Sequence, residues 1–329
     1  MNYINYVKQS PMMGVIGYGG GAASLGRYQS AGGGGDVWKG GRGVMFGGYG
    51  SPTPTGSNII QYITIANTGN ATDFGDLTGT SDHGTGGSNG SRGLSMGGRY
   101  NNNTRNNNVD YITFGSTGNA TDWGDLYDGA WLANYGGIGN GTRAAMAGNY
   151  SPGNDMIQYC TVATTGNGTD AGNLTKSTTD TAGCAGDNSR GLICGGFPGT
   201  NMIEYFDIST TNNAADFGDY SDSSWGGAGC DNGTRGWFCG NRASNKDRME
   251  YITIASLGNA TDAGNLTQAF QYCSGFADQD LGRGIVASNF DAPHASINYW
   301  TISSTSNAAD FGDLIGSSNS YSTAGCSGT

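Results

Sequence analysis

The sequence predicts an all-β fold, a propeller of seven blades. Three observations carry that expectation. Gly accounts for 62 of 329 residues and only 12% are charged, so helix formers are scarce and a residue costly inside helices is abundant. Short apolar runs with Ile, Val, Tyr and Phe alternate with stretches of Ser, Thr, Asn and Gly, the pattern of many short strands joined by turns. Finally, three signatures recur in fixed order, and internal repeats decide architecture before any local feature does.

The first signature is Arg followed by an apolar run that usually ends in small residues. It begins at Arg42 (RGVMFGG), Arg92 (RGLSMGG), Arg143 (RAAMAG), Arg190 (RGLICGG), Arg235 (RGWFCG) and Arg283 (RGIVAS), in steps of 50, 51, 47, 45 and 48 residues. The second is a strand with a polar residue before a tyrosine. It surrounds Tyr62 (IQYITI), Tyr111 (VDYITF), Tyr159 (IQYCTV), Tyr205 (IEYFDI), Tyr251 (MEYITI) and Tyr299 (INYWTI). Alternation in YITI places every second residue on a buried face.

The third signature is TGNATDFGDL at 68–77, with copies at 117–126, 165–174, 211–220, 257–266 and 305–314. A small-residue stretch follows, as in TAGCAG, GAGCDN and TAGCSG. A unit of about 48 residues with four short strands has the size of one propeller blade. One blade cannot bury its own faces, so neighbours must cover each other.

The order of these strands resembles the kelch repeat. The wording RGVMFGG…YITIANTGNATDFGDL further resembles kelch-like repeats in structural proteins of tailed phages, especially marine cyanobacterial ones. The resemblance covers residues from about 28 to the end. It implies a virion component and brings no catalytic residues with it.

The whole chain, 1–329, reads as one propeller domain. Residues 28–315 hold six complete units, 316–329 supply a closing strand, and 1–27 contribute to closure. Ile4-Asn5-Tyr6 matches Ile297-Asn298-Tyr299, so the two chain ends are expected to combine in a seventh, hybrid blade, with MGVIGYGGG (13–21) as a degenerate Arg strand. The alternative is six blades with an N-terminal arm.

Composition excludes several classes. A net charge of −11 argues against a duplex nucleic acid partner, since phosphate binding needs clustered Lys and Arg. No apolar run approaches a membrane span, and the N-terminus lacks a basic lead and apolar block, so no signal peptide is read. Seven Cys without a CxxC pair give no zinc or thioredoxin reading. His83 and His294 stand 211 residues apart, too few for a copper oxidase propeller. Neither a sialidase box, a nucleophile elbow nor a P-loop stands out. The expectation is no enzyme, no cofactor and no metal.

Within the repeat, Asp73 with Asp76, Asp122 with Asp125, Asp216 with Asp219 and Asp310 with Asp313 form D-x-G-D pairs. Such carboxylates suit calcium, but Asn173 and Asn265 replace the second Asp in two copies, and Asn-Ala-Thr-Asp is turn chemistry. A structural turn is expected, with Gly75, Gly124, Gly172, Gly218, Gly264 and Gly312 in a left-handed position. Phe74, Trp123, Phe217 and Phe311 are expected to pack sheet on sheet, the alternative being sugar platforms; Ala171 and Ala263 replace them in two units. The repeated arginines are expected to pair with the D-x-G-D carboxylates at blade boundaries.

Cys184, Cys230, Cys273 and Cys326 are read as one repeat position on the crowded innermost strand, as free buried thiols. Cys184–Cys194 and Cys230–Cys239 disulfides stay open. Sequons at Asn70, Asn119 and Asn259 repeat because the turn repeats.

Two functions follow as expectations. One is a non-catalytic structural or decorating protein of a tailed-phage virion, using loop faces for contacts with other virion proteins or host attachment. The other is a lectin-type propeller, for which Tyr100 and the NNNTRNNN loop (101–108) supply aromatic and amide groups. Without a signal peptide, the location is the virion, after synthesis in the host cytoplasm.

Overall fold

The computed structural model describes residues 40–50, 55–100, 104–130, 137–148, 155–181, 183–291, 294–316 and 321–329. They form a ring of six four-stranded antiparallel blades. From the axis outward, blade two runs Thr85–Ser88, Arg92–Met96, Thr104–Thr113 and Thr121–Ala130. Blade three is Ile138–Gly139, Arg143–Ala147, Met156–Thr161 and Thr169–Asn173. Blade four is Gly183–Gly186, Arg190–Gly196, Thr200–Asp207 and Ala215–Ser224. Blade five is Ala228–Asp231, Arg235–Cys239, Arg248–Thr253 and Thr261–Asn265. Blade six is Ser274–Asp278, Arg283–Ala287, Ser296–Thr301 and Ala309–Asp313.

Blade one closes the ring and corrects the seven-blade expectation. Its three outer strands are Arg42–Phe46, Thr55–Thr64 and Thr72–Asp82, and its innermost strand is the C-terminal Ala324–Gly328. Phe46 faces Ala324 and Arg42 faces Gly328. The small-residue strand always belongs with the Arg strand that follows it, and the last one finds that partner across the ring. Six Arg strands and six small-residue strands therefore satisfy each other without a seventh blade. Residues 1–27, expected to contribute to closure, lie outside the described residues.

Three sets of contacts repeat at every seam. In the first, the asparagine turn of one blade, Gly-Asn in four of the six copies, docks on the outer strand of the blade before it. Gly118 and Ala120 donate their N–H groups to Phe74 O (2.7 Å) and Asp76 O (2.8 Å), and Asn119 Oδ1 accepts from Asp76 N at 3.0 Å. At the closing seam, Gly69 and Ala71 donate to Phe311 O and Asp313 O, both at 2.8 Å, and Asn70 Oδ1 accepts from Asp313 N at 3.0 Å. Asn167, Asn213, Asn259 and Asn307 accept from Asp125, Asn173, Asp219 and Asn265 at the other seams.

The motif glycine makes this docking possible. Gly75 sits at a β-bulge with φ 149°, and a Cβ there would lie 2.4 Å from Gly118 O. The six glycines do take positive φ, as expected, between 133° and 149°. They mark a bulge and a close backbone approach, not the left-handed turn read from the sequence.

In the second set, each repeated arginine lies over the tyrosine of its own blade and donates to the neighbour. Arg92 is 4.2 Å from the Tyr111 centroid and gives Nη1 to Val162 O and Ala163 O; Arg283 is 4.6 Å from Tyr299 and reaches Ile65 O at 2.7 Å. Arg42, Arg143, Arg190 and Arg235 repeat the arrangement. The expected pairing with D-x-G-D carboxylates is thus replaced by stacking on a ring and capping of a strand-end carbonyl. Asp73 is exposed and Asp122 Oδ1 instead accepts from Gly124 N at 2.9 Å.

In the third set, the polar residue before each tyrosine is buried and accepts an N–H from the preceding blade. Thr78 N donates to Asp110 Oδ2 at 2.9 Å, Thr175 N to Glu204 Oε1 at 2.7 Å, and Ile315 N to Gln61 Oε1 at 2.6 Å across the closing seam. Gln158, Glu250 and Asn298 do the same for Asp128, Ser221 and Thr267.

Apolar side chains fill the wedge between these bonds. Phe74, Trp123, Phe217 and Phe311 are buried in the seams, with Phe74 edge-on to Tyr62 at 5.9 Å, so they are packing residues and unavailable as sugar platforms. Where Ala263 replaces the aromatic, Trp237 stacks on Tyr251 at 5.5 Å and donates Nε1 to Ile302 O at 3.1 Å. Along the axis, Gly86, Gly229 and Gly275 let inner strands touch; a Cβ on Gly86 would lie 2.1 Å from Gly325 O. The remaining axial cavity, lined by Ser88, Asp231 and Ser327 among others, holds about 20 Å³, room for one water.

All seven Cys are free and buried. They do not share one register position: Cys230 and Cys326 face their Arg strands at Trp237 and Val44, Cys184 faces Ile193 one step earlier, and Cys273 precedes its strand. Burial pushes the Cys160 and Cys184 thiols up to about 12.

Two measurements check this packing. Iodoacetamide should label no Cys in the native protein at pH 8 and all seven in denaturant, read by intact mass. Gly218→Ala, whose Cβ would lie 2.4 Å from Gly258 O, should cost about 1–3 kcal/mol or more in thermal unfolding. Gly115→Ala, with nothing within 4 Å, should be neutral within about 0.5 kcal/mol.

Candidate functional site

The seams consume the repeated residues, so any site is sought where the blades differ. One end of the ring carries the asparagine turns. The other carries the crossovers from each outer strand to the next innermost strand. There, backbone bonds pass from blade to blade around the axis. Gly226 N donates to Asp180 O (2.8 Å), Tyr272 N to Gly226 O (2.6 Å), Ser322 N to Tyr272 O (2.7 Å) and His83 N to Ser322 O (2.8 Å).

The donors and Asp180 all adopt left-handed backbone, with φ of 46° at Asp180, 66° at Gly226, 52° at Tyr272, 59° at Ser322 and 56° at His83. Glycine suits this position, and Asp, Ser and His tolerate it; a bulky tyrosine there is an outlier. Such strain persists where surrounding structure enforces it and clusters at working surfaces.

Two features sit on this collar. The first is a polar chain. Ser322 Oγ lies 3.2 Å from His83 Nε2, His83 Nδ1 lies 2.5 Å from Asp82 Oδ1, and Arg99 Nε donates to Asp82 Oδ1 at 2.7 Å. This is the order of a nucleophile relay, yet Ser322 is 0% exposed, so no substrate carbonyl reaches its Oγ in this conformation. The chain ties the closing crossover to the start of blade two. Burial would raise the Asp82 carboxyl, but the hydrogen bond and charge of His83, then Arg99, outweigh it and hold the group below its ordinary 3.8.

The second feature is aromatic. Tyr272 packs on His83 (5.7 Å), Phe290 (6.0 Å), Trp225 (6.2 Å) and Tyr321 (6.5 Å). Phe197 lies 5.1 Å from Trp225, and Phe290 4.8 Å from Tyr321. Phe197 and Phe290 are 44% and 39% exposed. The Arg242 guanidinium stands 4.7 Å over Trp225 and 4.8 Å over Tyr272, and its Nη1 donates to the Tyr272 hydroxyl.

Of these residues only His83 was noted from the sequence, as one of two histidines. The polar chain joins the crossover from blade one to blade two with Arg99 and the closing segment, the aromatic residues fall in non-repeated loops of blades four, five and six and in that segment, and only the ring brings them together. The one available signal was a Tyr, Ser or His where a sister blade has Gly226. Among the residues that were singled out, Asn70, Asn119 and Asn259 are engaged in seams. Tyr100 pairs by backbone with Ser81 and Thr104, and 101–103 of its loop lie outside the described residues. Among the described residues no group of three or more His, Cys, Asp or Glu is placed to hold a metal ion. No protein-family model matches the chain, and no curated protein matches it.

The Asp82 chain has a pH signature. With the folded carboxyl below 3.8, its stabilisation is present above that value and is lost as pH falls through the folded one. Asp82→Asn should therefore unfold at lower urea than wild type at pH 7, by more than about 1 kcal/mol, and the gap should shrink toward pH 3.

Proposed function

We propose that this propeller is a non-catalytic structural or decorating component of a tailed-phage particle that works through its loop faces, with the aromatic end serving host attachment. The observation that carries the reading is the asymmetry of the ring. The repeated arginines, the turn asparagines and the buried polar residues before the tyrosines are spent on seams, whereas the aromatic end presents exposed Phe197 and Phe290 beside Trp225 and Arg242. Exposed aromatics with an arginine are the composition of binding surfaces. The resemblance of the repeat wording to phage kelch-like proteins supplies the particle.

A lectin role is the second reading, favoured by the same exposed rings, and an attachment protein on a virion is both at once. Mass spectrometry of purified tailed-phage particles should find this chain; its consistent absence refutes the particle role. Recombinant propeller should bind host cells, and Phe197→Ala with Phe290→Ala should weaken that binding at least about tenfold. Leu257→Ala, an exposed change in a third-to-fourth-strand turn, should leave it intact.

A further inference from the structure

Arg242 is a cation of this end that meets no carboxylate among the described residues. Arg99 is neutralised by Asp82, Lys246 Nζ lies 3.2 Å from Asp291 Oδ2, and Arg248 lies 2.7 Å from Asp222 and 3.3 Å from Glu250. Among the described residues Arg242 forms no ion pair; its side chain touches the Trp225, Tyr272 and Phe290 rings and the Tyr272 hydroxyl. Its own N–H is fixed on Trp225 O at 2.8 Å. In a chain of net charge −11, an arginine kept clear of carboxylates and braced on three rings is held ready for an outside anion.

The brace is built at a cost. Tyr272 takes φ 52° where blade five uses Gly226, and this strained backbone places its ring beneath the guanidinium. Stacking holds the guanidinium in place, and the N–H groups beyond the one given to the Tyr272 hydroxyl are available to a planar carboxylate. Beside it, Phe197 and Phe290 offer exposed ring surface suited to the C–H face of a pyranose.

Resting on the attachment reading above, we infer that this basin binds an acidic sugar, a hexuronate unit of an anionic polysaccharide. The carboxylate pairs with Arg242, and the pyranose ring lies against Phe197 or Phe290. The negative protein disfavours diffuse adsorption of a polyanion, so the contact is local and short oligosaccharides report it.

The test titrates the unmodified protein with trigalacturonate and with its methyl ester, read by calorimetry and tryptophan fluorescence. The acid should bind, and the ester should bind more than about tenfold more weakly. Arg242→Met, which keeps the aliphatic stem, should lose acid binding by a similar factor, with its melting temperature reported alongside. Because the ester experiment needs no variant, a misfolded mutant does not shield the proposal. Equal binding of acid and ester overturns it. So does binding of a Glu-rich peptide in place of any saccharide. If neutral glycans bind and depend on Phe197 and Phe290 but not on Arg242, the acidic-sugar inference falls while the attachment reading stands. If the acid binds as described but particles lack the chain, the particle role alone falls.

Discussion

The structure depends on one self-complementary contact. The asparagine turn of each repeat caps the glycine bulge of the repeat before it, so TGNATDFGDL is at once plug and socket. Asn119 covers Asp76, and the same words one blade on place Asn167 over Asp125. Repetition follows from this: a chain whose motif binds its own copy can add wedges until the last meets the first. The closing seam has the same bonds as the others, from Asn70 to Asp313, from Arg283 to Ile65 and from Ile315 to Gln61. Each bond is worth only about 0.5–1.5 kcal/mol net. Stability therefore comes from their recurrence around six seams together with the apolar wedge they enclose.

That economy separates architecture from function. Residues that looked chemical in the sequence are bound up in backbone geometry: the arginines cap strand-end carbonyls, and Asp122 of the D-x-G-D motif accepts from Gly124 N. Under the proposed attachment reading, function falls to the end where the blades stop being alike. There the left-handed collar allows glycine, and among the described residues glycine holds one of its five positions, Gly226; the sister positions carry Asp180, Tyr272, Ser322 and His83. Departure from the cheapest residue is the physical sign that these positions do more than turn the chain.

Much of the fold was legible. The period, the strand order, the burial of alternate residues beside Tyr62 and its copies, the crowded small-residue strand and the free thiols all follow from local pattern. The sequence also placed Phe74 and Trp123 correctly as packing residues. It misjudged features that need a partner's position. Arginine was matched to the nearest acid in sequence, whereas the space above Tyr111 and the carbonyl of Val162 were open to it. Blade count was misjudged because the first unit was counted as complete from about residue 28, which left the C-terminal strand over for a seventh, hybrid blade; in the structure that strand pairs with Arg42–Phe46, as the six-blade alternative requires.

The sequence by itself determined that the chain is a ring of like wedges, since spacing and alternation are local properties written into each copy. Only the tertiary structure decided that there are six wedges, that Ser322 meets His83 from 239 residues away, and that Arg242 stands on Tyr272 and Trp225. Those contacts join loops that share no pattern, and ring closure alone brings them within bonding distance.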